Sequence, residues 1–465
     1  MARPDRVRSA AAPLLAALIS LALSVTVSAP APAAEAVDFP AAFDRALRNN
    51  ALVSVSAEDL FAARKDAEMA RGFLLPSLRF DEKFIRTSVP GEAFALKMNQ
   101  KKLLASDFLD VANFNSPPPR NDFLGVLALD QPLFAPKAYF GYAMARKETD
   151  AKFLDLSRKK EEVAYRVLTA YLTVLSAKRF STVAEQALSD AREHLRVAQS
   201  LESAGMGLSS DVLRAKVFLA SAEGAKVTAD SRLEIARRGF ALSMGEPWAA
   251  PVDASGVLPA FPDPGTIEER IAAVSRRADL RAFSLRVANA DRNVRLQKSE
   301  YLPTVGVSGA YEVDGESTPF SPDNRTWKVG VGLTWNLFDG FRREASVAKA
   351  ASERRRAGDA YRGLRDAAAF QVAQAYLGVR EATRREEIAR ASLASAEEGV
   401  RLVNARYENH LGRMVDLLDA QTALNAARAD SVRAENDVRQ SRAQLLYASG
   451  GLLEWALSVE KETGR

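Results

Sequence analysis

The sequence contains no cysteine and only two histidines among its 465 residues. The lack of cysteine excludes disulfide scaffolds, thiolate metal sites, cysteine nucleophiles and lipid attachment to an N-terminal cysteine. His194 and His410 have no metal-ligand spacing, and we interpret them as surface residues. The abundant carboxylates show no spacing that suggests general acid–base work. The composition therefore predicts no enzyme, no cofactor and no metal site.

Long apolar runs are also absent, except near the N-terminus. Arg3, Arg6 and Arg8 precede an apolar run from Ala10 to about Val27, and small residues follow. This order predicts a cleaved export signal over residues 1–34. The alternative is an N-terminal membrane anchor, but the run is shorter than the ~20 residues that a spanning helix needs.

Charge of one sign is not in excess, since 64 basic and 59 acidic residues leave a net charge of +5. Basic and acidic residues interleave along helical stretches such as 158–162. Such patterns indicate solvated helix faces, so the sequence predicts no nucleic-acid partner.

The chain contains an internal repeat. A shift of 205 residues places Ala170-Tyr171-Leu172 on Ala375-Tyr376-Leu377, and a shift of 227 residues places Leu75-Pro76 on Leu302-Pro303. The repeat divides the sequence into segments before any fold is considered. The expected segments are repeat 1 (35–245), a proline-rich linker (246–265), repeat 2 (266–450) and a short polar tail (451–465).

Each repeat holds a long stretch without internal proline, over 136–203 and 341–409. Charged and apolar residues recur there at helical spacing, which predicts helices of ~100 Å at a 1.5 Å rise per residue. A glycine-containing break and a second helical stretch follow each one. We therefore expect long coiled-coil hairpins over 136–245 and 341–450, with a further helix at the start of each repeat.

Upstream of each hairpin the hydrophobic period changes to two. In the stretch at about 327–337, apolar residues from Trp327 to Trp335 alternate with polar residues or glycine. This pattern is typical of a bilayer-crossing strand with an aromatic residue at each membrane interface. Further strands are expected at about 304–313, 78–87 and 123–133. A soluble β-hairpin packed on helices is the alternative.

Four strands cannot close a barrel, and an open sheet edge cannot face lipid because its backbone groups would lack hydrogen bonds. Closure must therefore come from other copies of the chain. Eight strands from a dimer would be filled by side chains, whereas twelve from a trimer could leave a lumen. The pattern favours a wide oligomer.

The arrangement resembles that of the TolC-like outer-membrane efflux proteins. The residues that carry the resemblance are Tyr301-Leu302-Pro303 before a strand, Asn336-Leu337-Phe338-Asp339-Gly340 after one, and the turns at 205–212 and 415–421. The resemblance implies a mainly α protein with a transmembrane β-barrel, in which a homotrimer completes a 12-stranded barrel and an α-barrel in the outer membrane.

The resemblance also implies an exit duct that works with a periplasmic adaptor protein and an inner-membrane pump of the RND or ABC type. A periplasmic adaptor with coiled-coil hairpins is the alternative function. Adaptors ordinarily carry one hairpin, whereas this sequence contains two.

The resemblance implies a closed entrance at the hairpin tips. Asp416 and Asp419 lie one helical turn apart and would form an acidic ring in a trimer. Acidic residues in a first helical turn also stabilise the helix dipole or cap free N–H groups. That reading applies as well to Asp211, which follows Ser210.

The family's gate pattern includes two more positions, of which this sequence matches the first. Tyr407 stands where the family has a tyrosine, and Gly412 stands where it has an arginine, with Arg413 next to it. A link from these residues to Ser210 or Asp211 is therefore expected at the gate. Gly205, Gly207, Leu208 and Gly412 form the expected adaptor-docking tips.

Overall fold

The computed structural model describes residues 35–321, 324–409 and 411–462. The expected export signal and His410 lie outside the described residues. The described helices are α1 (Phe39–Asn49), α2 (Ala51–Gly72), α3 (Pro90–Asn99), α4 (Ala112–Asn115), α5 (Pro136–Ser203), α6 (Ser209–Ser243), α7 (Ile267–Ala273), α8 (Ala278–Lys298), α9 (Arg342–Glu408), α10 (Met414–Ser449) and α11 (Leu452–Glu462). The described strands are β1 (Glu35–Val37), β2 (Ser77–Thr87), β3 (Arg120–Phe134), β4 (Val252–Ala254), β5 (Thr304–Gly315) and β6 (Arg325–Thr334).

The repeat is visible in the architecture. Each copy contributes a helix of more than twenty residues (α2 or α8), two strands of one four-stranded sheet and one helical hairpin, formed by α5 with α6 and by α9 with α10. Both hairpins end at an equivalent glycine in the left-handed conformation, Gly245 at φ +79° and Gly450 at φ +80°. A Cβ at Gly245 would lie 2.6 Å from the backbone of Asn49, and one at Gly450 would lie 2.9 Å from Arg277 Cγ. Both hairpins thus end against the start of the helix that precedes these strands in their repeat, α2 or α8.

The two long helices contain 68 and 67 residues and each extends for ~100 Å. Along α5 the stripe of Val163, Val167 and Tyr171 is buried, whereas exposed charges pair one turn apart, as in Arg196–Glu193. Helices α2 and α8 pack on α5, and α8 also packs on α9. In the described part of the chain, no helix has an apolar stretch suited to crossing a bilayer.

Four strands form an antiparallel sheet in the order β2-β3-β5-β6, so the two repeats join through β3 and β5. The strands overlap the four stretches expected from alternation, although β6 ends at Thr334 and not at about 337. Strands β2 and β6 are the sheet's edges. On one face of β6 the apolar side chains are exposed, including Trp327 (76%), Val329 (68%) and Val331 (72%).

Two segments differ from their expected structure. The polar tail expected at 451–465 is wrong for its described part, because Leu452–Glu462 is helix α11. Its Leu452 and Ala456 are fully buried, and Trp455 stacks on Phe39 at 5.6 Å between ring centroids. The proline-rich linker contains strand β4, which pairs in parallel with β1. Both segments cover the core around the middle of α5.

Candidate functional site at the hairpin tips

The tips of the two hairpins pack together within one chain. Their shared cluster, which we call the tip cluster, consists of Ala198 from α5, Val212 and Ala215 from α6, Tyr407 from α9, and Met414, Leu417 and Leu418 from α10. All seven side chains are buried. Apolar burial at these positions holds the two repeats in one register at this end of the molecule.

Glycine shapes both tip turns. Gly205 has φ +73°, and a Cβ at Gly207 would lie 2.8 Å from the backbone nitrogen of Glu202. A Cβ at Gly412 would lie 3.2 Å from the nitrogen of Tyr407. These close approaches explain the glycines through turn geometry. The neighbouring side chains of Leu208 and Leu411 are 66% and 72% exposed and form the outermost apolar surface of the tips.

The helix that follows the first turn begins without a side-chain cap. Its N-cap residue is Leu208, which makes no side-chain hydrogen bond, and Ser209 is the first helical residue. Asp211 lies in the first turn, where a negative charge interacts favourably with the helix dipole. Ser210 is exposed.

In the second tip, Arg413 is the N-cap residue of α10 and pairs with Asp416 on the same helix. The guanidinium donates to both carboxylate oxygens, at 2.8 and 3.1 Å. This hydrogen bond and the positive charge hold the pKa of Asp416 below its ordinary value. Asp419 lies one turn further along and is exposed. In the single chain, the Arg413 guanidinium therefore pairs with Asp416, and the described contacts include none from it to Ser210 or Asp211.

Tyr407, unlike Arg413, is buried and lies near an acidic residue of the other hairpin. Only 8% of the residue is exposed, and burial together with the charge of Asp211 raises the pKa of its phenol. The structure thus brings the tyrosine of one hairpin close to the acidic residue of the other. Of the residues expected to link the two tips, Tyr407 and Asp211 are the two that the folded chain places near each other.

Sequence reasoning missed a polar network just above the tip cluster. Gln421, 2% exposed, donates to Asp190 Oδ2 at 2.9 Å, and Arg428 lies 3.2 Å from the same oxygen. These side chains line a cleft of about 310 Å³ together with Tyr407 and His194. In the sequence, the signal for this network was Gln421, a polar residue between Leu417 and Leu424 on an otherwise apolar stripe of the helix.

His194 is not a freely exposed surface residue. Its Nε2 is buried without a hydrogen-bond partner among the described residues, and its ring lies 6.4 Å from that of Phe218. The residue as a whole is half-buried and lines this cleft, so it lies only partly at the surface. In the described part of the chain, no three His, Cys, Asp or Glu side chains come together as a metal site.

At the opposite end of the molecule, the expected aromatic positions flank β6. Trp327 faces Tyr311 across the strand pair, and Trp335 follows directly after the strand with 55% of its surface exposed. Trp335 Nε1 donates to the carbonyl oxygen of Tyr301 at 3.0 Å. The two indoles thus mark the two ends of the exposed apolar face of β6.

An open sheet with an exposed apolar face, joined to two helical hairpins whose longer helices extend for about 100 Å, is typical of a channel-forming outer-membrane protein with a periplasmic extension. A family model described as outer membrane efflux protein matches residues 42–246 and 272–451. The chain therefore belongs to the outer membrane efflux protein family.

Individual proteins agree with this assignment. The chain is 25% identical to the outer membrane efflux protein BepC of Brucella suis over 328 residues, which cover 68% of this chain and 70% of that protein. The solved structure of the Campylobacter jejuni CmeC outer membrane channel superimposes with a TM-score of 0.76 at 16% identity, covering 91% of this chain and 89% of that chain. A membrane protein from Pseudomonas aeruginosa gives a TM-score of 0.76 at 22% identity, covering 89% and 93%.

The family expected from the sequence motifs is confirmed. So are the outer-membrane location with an extension into the periplasm, and the role as a channel for efflux. These findings favour the channel over the alternative of a periplasmic adaptor.

Proposed function

We propose that three copies of this chain form one passive exit duct, with twelve strands closing a barrel in the outer membrane and six hairpins forming a tunnel in the periplasm. The observation that carries the proposal is the open sheet, whose edges β2 and β6 are unpaired among the described residues although its apolar face is exposed. Lipid does not tolerate unpaired strand edges, so each β6 requires a neighbour's β2. Twelve strands are wide enough to leave a lumen.

Because the sequence has no cysteine, engineered cysteines can test this pairing directly. Arg79→Cys on β2 and Lys328→Cys on β6 occupy opposite edges of the sheet, and both native side chains are exposed. Oxidation of this double variant should yield covalent dimers and trimers. The matched control pairs Lys328→Cys with Ala310→Cys, its direct partner on β5, and should crosslink only within one chain. A product that stays monomeric across scanned β2 positions would refute the trimer.

At the tips, we propose that Asp416 and Asp419 of three chains surround the periplasmic opening, with Arg413 and the Tyr407–Asp211 pair stabilising the closed tips and Ser210 beside them. The start of α10 supports this assignment, because Asp416 and Asp419 lie one turn apart there and Arg413 pairs with Asp416 within the same helix. A ring of carboxylates attracts cations.

Replacing both Asp416 and Asp419 with alanine should raise the closed-channel current in planar bilayers and reduce its cation preference. Asp430→Ala is the control, because Asp430 is exposed on the same helix and pairs with Arg433. An unchanged current and reversal potential in the double variant would remove the gate assignment.

We further propose that the tip turns dock a periplasmic adaptor, which connects the duct to an inner-membrane pump of the RND or ABC type. Gly205, Gly207 and Gly412 shape the turns, and Leu208 supplies exposed apolar surface. Leu208→Asp leaves the glycines in place and should abolish export while assembly and conductance persist. Leu213→Asp, with a similar exposure of 62% on the same helix, is the control. Normal export by Leu208→Asp would contradict docking at this tip.

Trp327 and Trp335 complete the proposal at the membrane. Their amphipathic rings suit the two interfaces between lipid and water, and their placement at opposite ends of the apolar face of β6 supports this role.

A further inference from the structure

Two carboxylates are buried at the loop end of the sheet, away from the helical hairpins. Asp122 on β3 is fully buried, and Asp314 on β5 is 2% exposed. Leu124 pairs with Asp314 in the strand register, so Asp122 is the diagonal neighbour of Asp314. Side chains alternate along a strand, and both carboxylates therefore project from the same face of the sheet.

Three oxygens at this place have no hydrogen-bond partner among the described residues. They are Asp122 Oδ2, Asp314 Oδ1 and Gln100 Oε1, all on side chains that are at least 98% buried. Gln100 follows α3 in the loop between β2 and β3, and its amide nitrogen donates to Asp122 Oδ1 at 3.0 Å and to the carbonyl oxygen of Asn121 at 2.8 Å. These bonds fix the amide beside the Asp122 carboxylate. The Asn121 side chain leaves the opposite face of β3 and is not part of this group.

The charges near this group are of the wrong sign to balance it. The ionisable neighbours of Asp314 are Asp122 and Glu312, both acidic, and Asn99 contributes a hydrogen bond to its carboxylate. Three basic side chains of neighbouring segments are paired with other acids: Lys102 and Arg120 with Glu316, and Lys97 with Asp107. Burying two ionised carboxylates together is strongly unfavourable unless a positive charge accompanies them.

We propose that Asp122, Asp314 and Gln100 bind a hard divalent cation, with Ca²⁺ as the ligand that fits best. All available donors are oxygens, and two carboxylates balance a double positive charge. Ca²⁺ accepts six to eight oxygen ligands in irregular geometry, including amide and carbonyl oxygens. Mg²⁺ requires near-octahedral geometry, and Zn²⁺ in proteins favours histidine or cysteine, which this group lacks.

The position gives the site a role. Gln100 belongs to the loop over residues 88–119, whereas the two aspartates belong to different repeats. A cation that joins them fastens this loop across the outer end of the sheet, at the junction between β3 and β5. Access to the lumen from outside the cell passes this end of the proposed barrel.

Ca²⁺ binding by the purified full chain in detergent tests the proposal. After treatment with EGTA, equilibrium dialysis should show one Ca²⁺ per chain with a dissociation constant of roughly 10⁻⁴–10⁻³ M, which is the range of extracellular calcium modules. Saturating Ca²⁺ should also slow tryptic cleavage after Lys101 and Lys102, since both lysines lie in the fastened loop.

Substitutions of the two aspartates distinguish Ca²⁺ binding at this site from a general effect on the stability of the loop. Asp122→Asn with Asp314→Asn keeps the side-chain shapes and removes both charges, so Ca²⁺ binding and Ca²⁺-dependent protection should both be lost. In EGTA this double variant should be cleaved more slowly than the wild-type chain, because the carboxylate repulsion is gone. Asp130→Asn changes an exposed carboxylate on the same strand face and should behave as wild type.

Two results would overturn the proposal. Ca²⁺ binding that persists in the double variant would place the cation elsewhere on the protein. Failure of the wild-type chain to bind Ca²⁺ would mean that the carboxyl groups are kept neutral by protons. Because the readouts are cation binding and loop cleavage, neither result depends on the trimer or on export.

Discussion

Glu161 connects helix α11 to the middle of α5, and its removal should detach α11 locally. The residue is 3% exposed; Oε2 accepts from Arg158 at 2.6 Å, and Oε1 accepts from the backbone nitrogen of Leu452 at 3.1 Å. Glu161→Ala leaves Arg158 and a buried N–H group without this partner. Breaking a buried ion pair costs about 3–5 kcal/mol.

Hydrogen exchange measured by mass spectrometry reports this loss where it occurs. Amides of Leu452–Glu462 that exchange through local opening should exchange roughly 10²–10⁴ times faster in Glu161→Ala, since about 1.4 kcal/mol corresponds to one factor of ten. Glu161→Gln keeps an acceptor for the Leu452 N–H group and should give a smaller increase.

The control is Glu193→Gln on the same helix, where an exposed carboxylate pairs with Arg196. Exposed pairs contribute at most about 1 kcal/mol, so its exchange in α11 should match the wild type. Equal exchange in Glu161→Ala and the wild-type chain would refute the reasoning, and so would an increase spread evenly over all helices.

Three further perturbations have defined outcomes. In thermal denaturation, Gly450→Ala should destabilise the helical region by about 1–2 kcal/mol, because alanine is strained in the left-handed conformation. Gly358→Ala within α9 should instead stabilise the helical region, because the space for a Cβ is open there. Gln421→Ala removes a buried donor to Asp190 and should cost about 1–3 kcal/mol in chemical denaturation. A change no larger than that of Gln444→Ala, at an exposed position of the same helix, would contradict the role of the network. The pKa of Asp416 is lowered in the folded protein, so its pairing with Arg413 stabilises the fold above the ordinary aspartate pKa, and this stabilisation is lost as pH falls through the lowered value. Acidification in that range should therefore raise the closed-channel current of the wild-type chain. Asp416→Asn should remove this response to pH.

The sequence was sufficient for the elements whose pattern is local. The proline-free stretches predicted α5 and α9, because helical periodicity over nearly seventy residues has no competing explanation. The alternation between Trp327 and Trp335 predicted a strand for the same reason, and the offset between Gly245 and Gly450 showed that one unit occurs twice. Family membership followed from the motifs at the strand ends and hairpin tips.

The structure of short segments was harder to predict from the sequence, because it depends on contacts with residues far away in the chain. Strand β4 contains three residues in a proline-rich segment and exists through its pairing with β1. Helix α11 is amphipathic over only eleven residues, and its expected polar character was wrong because Leu452, Ala456 and Trp455 pack on elements far away in the chain.

By itself, the sequence therefore determined the repeat, the long hairpins, the four strands and the family, since these depend on periodicities and motifs within single segments. Only the tertiary structure decided which side chains come together: Tyr407 near Asp211 at the tips, Gln421 hydrogen-bonded to Asp190 above them, and Gln100 hydrogen-bonded to Asp122 at the opposite end. The physical reason is that burial and pairing energies depend on distances between residues far apart in the chain, which no local pattern records.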